Sequence, residues 1–131
     1  MIYYRYQESL DPPAPFVNVS LVHPVTAAVL SNVPAQVDSA ADRTVVPARL
    51  IQALDLPQVG ERQVGGLGGH IETLSTYAVR ISVHGRPAQM LSVLACAGEP
   101  WILLGRDCIN AHKLLLNGPG LTLGIEVPPP G

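Results

Sequence analysis

The chain predicts an all-β, barrel-like domain of about eight short strands with one or two short helices, and three observations carry that prediction. Thirteen prolines and twelve glycines in 131 residues argue against long helices and supply many turns. From Ile71 to Val83 every odd position is Ile, Thr, Ser, Tyr or Val, while Glu72, Thr76, Arg80 and Ser82 fall on even ones. That two-residue period belongs to a long strand. Leu114-Leu115-Leu116, then Asn117-Gly118-Pro119-Gly120, then the run from Leu121 to Ile125, has the form of a hairpin. At this length the chain is one domain and buries roughly two-thirds of its unfolded surface, enough for a core without staples.

The elements follow in order. Residues 1–15 form an extended arm closed by Pro12, Pro13 and Pro15. Phe16 to Val22 alternates apolar with Asn18 and Ser20 and is a half-buried strand. A long turn runs from His23-Pro24 to Asn32, and a second strand from about Val33 to Val37 ends at Asp38. Thr44-Val45-Val46 is β-branched and makes a short strand. Pro47 suits the first turn of a short helix at about 47–54, with Leu50, Ile51 and Leu54 on one face. Val64-Gly65-Gly66-Leu67-Gly68-Gly69 heads the long strand and reads as a mobile hairpin tip rather than a linker. His84-Gly85-Arg86-Pro87 turns the chain, and Met90 to Leu94 forms another strand. Trp101 to Leu104 is an apolar run ending at Gly105, and Asp107 to His112 makes a helical turn. Residues 128–131 form a proline-rich tail, which leaves 16–127 as the domain proper.

Composition narrows the function. Net charge is −2, and the seven arginines and single lysine are scattered, which gives nucleic-acid binding no support. The four histidines have no metal-ligand spacing, so no metal or other cofactor is expected. Cys96 and Cys108 make a poor disulfide framework and are expected as reduced thiols. The N-terminus lacks the apolar region of a signal peptide, and no apolar stretch approaches the ~18 residues of a membrane span. The expectation is a cytoplasmic protein, or a piece excised from a longer precursor, with no membrane partner. Only 14% of residues are charged, so polar surface is scarce and an apolar interface with another chain is expected.

The run Val37-Asp38-Ser39-Ala40-Ala41-Asp42 places an aspartate at the end of an apolar strand, on a turn of small residues. Hydrolysis by carboxylates alone uses one group to activate water and a second to supply a proton. Two carboxyls within about 3 Å cannot both ionise, so they share one proton and titrate as a pair. A chain with a single such aspartate acquires the second from a copy of itself, across an isologous two-fold interface.

Three separated motifs resemble the retropepsin-like aspartic proteases, the retroviral proteases and their cellular and bacterial relatives. The Asp38 run with Thr44-Val45-Val46-Pro47 is similar to the family's Asp–Thr/Ser–Gly–Ala–Asp segment and the strand after it. Val64 to Gly69 is similar to the flap tip, and Ile102-Leu103-Leu104-Gly105-Arg106-Asp107 to the apolar–apolar–Gly–Arg–Asp/Asn segment. Together they span residues 16 to 125. The resemblance implies a closed barrel with a glycine-rich flap hairpin, acting as a symmetric homodimer. It would be an aspartic endopeptidase that cleaves extended apolar polypeptide segments at acidic to mildly acidic pH.

The resemblance also assigns roles. Asp38 would be the catalytic carboxylate, on an active-site loop completed by Ser39, Ala40 and Ala41. The Ser39 hydroxyl would brace the two loops across the dimer axis. Asp42 would meet substrate backbone while Arg106 supports it as an ion pair. Gly65 and Gly66 would present backbone groups to the peptide, and Leu67 would close over it. Val45, Trp101 and Leu103 would line side-chain pockets, with a core role for Trp101 an equal alternative. Ala40 stands where the family has glycine, and its β-carbon is expected to strain the backbone or crowd the scissile bond. The alternative function follows: a catalytically impaired peptide-binding and dimerisation module. Ile2 to Tyr6 has strand character, but the prolines at both ends point to a dimer surface other than the interleaved termini of the retroviral enzymes.

Overall fold

The computed structural model describes residues 1–127, with the backbone alone at Leu67, so the expected tail at 128–131 lies outside the described residues. The chain order is β1 (Ile2–Arg5), β2 (Phe16–Val22), β3 (Val29–Val37), β4 (Val45–Pro47), α1 (Ala48–Leu54) and β5 (Gln58–Gly65). It continues through β6 (Ile71–Val83), β7 (Gln89–Cys96), β8 (Ile102–Leu104), α2 (Arg106–Ile109), β9 (Leu114–Asn117) and β10 (Thr122–Ile125).

One sheet runs β2-β3-β8-β4-β7-β6-β5, and β6 also pairs with β2, which closes six strands into a barrel and leaves β5 outside. Alternation dictates the interior. Val17, Val19 and Leu21 of β2, Val79, Ile81 and Val83 of β6, Val93 of β7 and Ile102 and Leu104 of β8 all point inward and are buried. Ile51 and Leu54 of α1 close one side of the same core. Fully burying one such side chain stabilises the fold by roughly 1.5–3 kcal/mol.

Cys108 of α2 is fully buried in this core, and burial, reinforced by the neighbouring Asp107 carboxylate, pushes its thiol up to about 12. The thiolate is the reactive form. Iodoacetamide at neutral pH is therefore expected to label half-buried Cys96 and leave Cys108 unmodified until the protein is denatured, as read by intact-mass measurement.

A second sheet of three strands, β1-β10-β9, joins the two ends of the chain. Ile2 pairs with Ile125, and Ile125 with Leu114. One face packs Leu123 and Ile125 into the core. The other presents exposed Tyr3 and Leu115 on either side of Gly124. A β-carbon on Gly124 would meet the Met1 sulfur at 2.5 Å, so this glycine lets Met1 lie across the sheet.

The sequence reading missed β5 and the full length of β3. The expected turn at 23–32 is confined to 23–28, where the His23 Nδ1 accepts the amides of Val25 and Thr26 at 3.0 and 3.1 Å. Residues 2–5 are paired with β10 rather than simply extended.

Candidate active site

Asp38 sits one residue beyond β3, where three strands converge. β3 runs parallel to β8, through Ala35 to Ile102 and Val37 to Leu104. The Asp38 amide continues that pairing by donating to the Leu104 carbonyl at 3.0 Å. The chain then turns: the Ala41 amide donates to the Asp38 carbonyl at 3.2 Å, and the Ala40 amide to Asp38 Oδ1 at 3.1 Å. Small residues suit this turn because its outer side carries nothing but backbone and the half-exposed carboxylate.

Arg106 supports the loop, though not through the expected partner. Its guanidinium donates to the carbonyls of Ser39 and Ala40 at 2.9 and 3.1 Å, and its amide donates to the Ala41 carbonyl at 2.8 Å. The anticipated Asp42–Arg106 ion pair is not formed. Asp42 lies beyond the turn, on the side of the flap arm, where Arg62 of β5 approaches its Oδ2 at 3.6 Å. The turn leaves two carbonyls nearer to Arg106, and it takes those.

Thr44 and Asp107 form a polar centre that sequence reasoning missed. Thr44 is fully buried. Its amide donates to both Asp107 oxygens at 3.0 and 3.1 Å, and its hydroxyl donates to Asp107 Oδ1 at 2.7 Å. The Gly105 amide donates in turn to the Thr44 hydroxyl at 3.1 Å. Gly105 is required by proximity, since a β-carbon there would stand 2.5 Å from the Arg43 carbonyl carbon. This cage ties the segment after the Asp38 turn to the segment after β8. The available signal was a lone polar residue, Thr44, immediately before the apolar run Val45-Val46-Pro47.

Ala40 is exposed and is not among the non-glycine residues with positive φ, which are Ala27, Asn32, Asp55, His84 and Leu121. The expected backbone strain at Ala40 is therefore absent. Ser39 is exposed, and its hydroxyl has no partner among the described residues.

Val45 and Leu103 are half-buried and paired directly, on the faces of β4 and β8 that point away from the core. Trp101 lies half-buried on the same side. It packs edge-on against Phe16, with ring centroids 5.2 Å apart, and donates its indole N–H to Gln36 Oε1 at 2.9 Å. Together with Leu10 and Pro34 it borders a small apolar cleft, so it is neither a core residue nor an open pocket wall alone.

The flap is a hairpin of β5 and β6, in register from Gly60–Thr76 to Gly65–Ile71. The Gly66 amide donates to the His70 carbonyl at 2.9 Å and closes its tip. A short 3-10 turn, Leu67–Gly69, rounds the end, and Gly68 and Gly69 hold φ of 79° and 76°, which favours glycine. Gly65 and Gly66 are exposed.

The described residues thus form a closed barrel with one aspartate on a braced turn and a glycine-tipped hairpin. The family model of retroviral aspartyl proteases matches residues 13–117, and the chain belongs to that family. Among solved structures, EIAV protease complexed with the inhibitor HBY-793 is similar, with a TM-score of 0.60 and 22% identity over 79% of this chain and 93% of that one. A retropepsin-like aspartic protease from Rickettsia conorii also aligns at a TM-score of 0.60, with 11% identity over 93% of this chain and 86% of that one. The retroviral protease-like domain of Ddi1 from Leishmania major aligns at 0.51, with 13% identity over 86% and 89% of the two chains. No curated protein matches the sequence. No helix among the described residues is long and apolar enough to cross a membrane.

Proposed function

We propose that the protein is an aspartic endopeptidase whose catalytic centre is completed by pairing Asp38 of two copies. The observation that carries this reading is the position of Asp38, a lone half-exposed carboxylate on a turn held by Leu104 and Arg106. In the dimer one carboxylate draws a proton from water while the protonated partner donates to the scissile carbonyl and then to the leaving amine. No metal or cofactor takes part. Ser39 braces the two loops across the axis. Asp42, Gly65 and Gly66 hold the backbone of an extended peptide, Leu67 closes over it, and Val45, Trp101 and Leu103 meet its apolar side chains.

The exposed apolar face of Met1, Tyr3 and Leu115 on the terminal sheet supports a self-association surface. The test is cleavage of a diverse peptide library by purified protein from acidic to neutral pH, with sedimentation of the same samples. Defined cuts from a dimer uphold the reading. A folded monomer at every working concentration, with no cuts, removes it.

The exposed Ala40 methyl on the loop favours one second reading, a peptide-binding relative in which that methyl blocks the bond to be cut. The two readings separate on Ala40→Gly. Because Ala40 carries no strained dihedral, this change is expected to leave stability within about 1 kcal/mol by urea unfolding. Under the protease reading it also leaves kcat/KM within a few-fold. A sharp rise in hydrolysis would identify the methyl as the block.

A further inference from the structure

A cleft of about 390 Å³ lies beside the arm of the flap hairpin and is lined by Arg43, Glu61, Arg62, Thr76, Ser92 and Leu94. Strand register shows which way it faces. Gly60 pairs with Thr76, Thr76 with Leu94, and Leu94 with Val45, so one continuous surface crosses β5, β6, β7 and β4. It is the surface opposite the buried Val79, Val93 and Val46, and it includes the side-chain position Val45. Arg62 alternates onto this surface, whereas Glu61 alternates onto the other face of β5.

The charge balance on this surface is uneven. Arg62 shares Asp42 at 3.6 Å, and both side chains are well exposed. Arg43 has no carboxylate partner among the described residues. Its backbone is nonetheless fixed, because Gly105 packs against its carbonyl and its neighbour Thr44 is bound by Asp107. Two guanidinium groups therefore line the cleft with Glu61 as the one carboxylate among its lining residues, and Arg43, which has no carboxylate partner among the described residues, stands on a rigid base beside the Asp38 turn.

We infer that this cleft receives the carboxylate of an aspartate or glutamate side chain in the bound polypeptide, with Arg43 as the specificity-determining residue. The inference rests on the reading of the cleft as a peptide site and adds the substrate class: an apolar centre with an acidic residue to one side. A guanidinium and a carboxylate meet with directional, charge-assisted hydrogen bonds, which distinguishes an acid from its amide.

The experiment uses the Asp38→Asn full chain and fluorescein-labelled peptides with an apolar centre. Glu, Gln or Lys is placed about two to four residues from that centre, the reach of an extended strand at ~3.3 Å per residue. Fluorescence anisotropy is expected to give about five- to tenfold tighter binding for Glu than for Gln at one of those positions, weakening as salt rises. Arg43→Ala should erase the preference and Arg43→Glu should transfer it to Lys. Both variants retain the backbone that packs on Gly105, and their urea midpoints report that they fold. Equal affinity for all three peptides, no binding of any, or a Glu preference that survives Arg43→Ala overturns the inference. Wild-type cleavage of the same peptides separates the two readings. Cuts without acidic preference sink this inference alone, and acidic preference in binding without any cuts sinks proteolysis alone.

Discussion

Replacing Asp38 with asparagine is expected to reduce peptide cleavage by about 10²- to 10⁴-fold or more, the range carried by positioned acid–base groups. In the proposed dimer both subunits would lose their carboxylate at once, so neither the base nor the acid of the proposed pair would remain. Asparagine is nearly isosteric and keeps an Oδ1 that can accept the Ala40 amide, now at 3.1 Å. The backbone bond to Leu104 does not involve the side chain at all. The barrel, the turn and the dimer should therefore survive, with an unchanged urea midpoint and sedimentation profile. Loss of cleavage in a folded dimer assigns the chemistry to Asp38. Undiminished cleavage would mean that some other group, or a contaminating protease, cuts the peptide.

The largest expected loss of stability comes from Asp107→Ala, on the order of 3 kcal/mol. This residue accepts the amide and the hydroxyl of Thr44, a side chain with no access to solvent. Removing the carboxylate leaves the Thr44 amide and hydroxyl without their partner where water does not reach. Each such buried group costs about 1–3 kcal/mol. Gly105→Ala attacks the same cage sterically, since its new carbon would lie 2.5, 2.7 and 2.9 Å from backbone atoms of Arg43 and Thr44. Nothing flexible is available to move aside. Equilibrium urea unfolding should show both variants shifted well below wild type. A shift under about 1 kcal/mol for Asp107→Ala would place the cage among ordinary surface contacts.

These two predictions differ in how far the sequence alone leads to them. Asp38 is readable because a carboxylate at the end of an apolar strand, on a turn of small residues, has few structural reasons to be there. The strands β2 and β6 are readable because each buries one face, which writes a two-residue period into the chain. β5 buries neither face along Gln58 to Gln63 and so carries no such period. The pairing of β1 with β10 joins opposite ends of the sequence, and no local pattern announces it. Thr44 and Asp107 are each ordinary in isolation, and their bond becomes visible only when β8 and the Asp38 turn are brought together.

The partner of Arg106 shows a different limit. The sequence places one arginine and one aspartate next to two motifs and invites an ion pair. Folding offers Arg106 two backbone carbonyls on the turn and offers Asp42 the flap arm. Charge alone does not rank those alternatives, because an exposed ion pair and an exposed hydrogen bond to a carbonyl differ little in free energy.

The thirteen residues of β6 pass from exposed at Ile71–Thr73, through a half-buried middle, to the core at Val79, Ile81 and Val83. Their pairing changes along the same path. Near the tip the strand bonds only to β5, and at Arg80 and Ile81 it bonds to β2 and β7 together. The strand is thus a cantilever, clamped at its root between two neighbours and free along most of its outer span. A load at the tip is met by bending spread over many residues, and no discrete hinge is required. Amide hydrogen exchange should register this as a gradient along one strand, fast over 71–75 and slowed by orders of magnitude at 79–83. Opening of the flap then leaves the barrel closed, because the pairs that seal it lie at the clamped end.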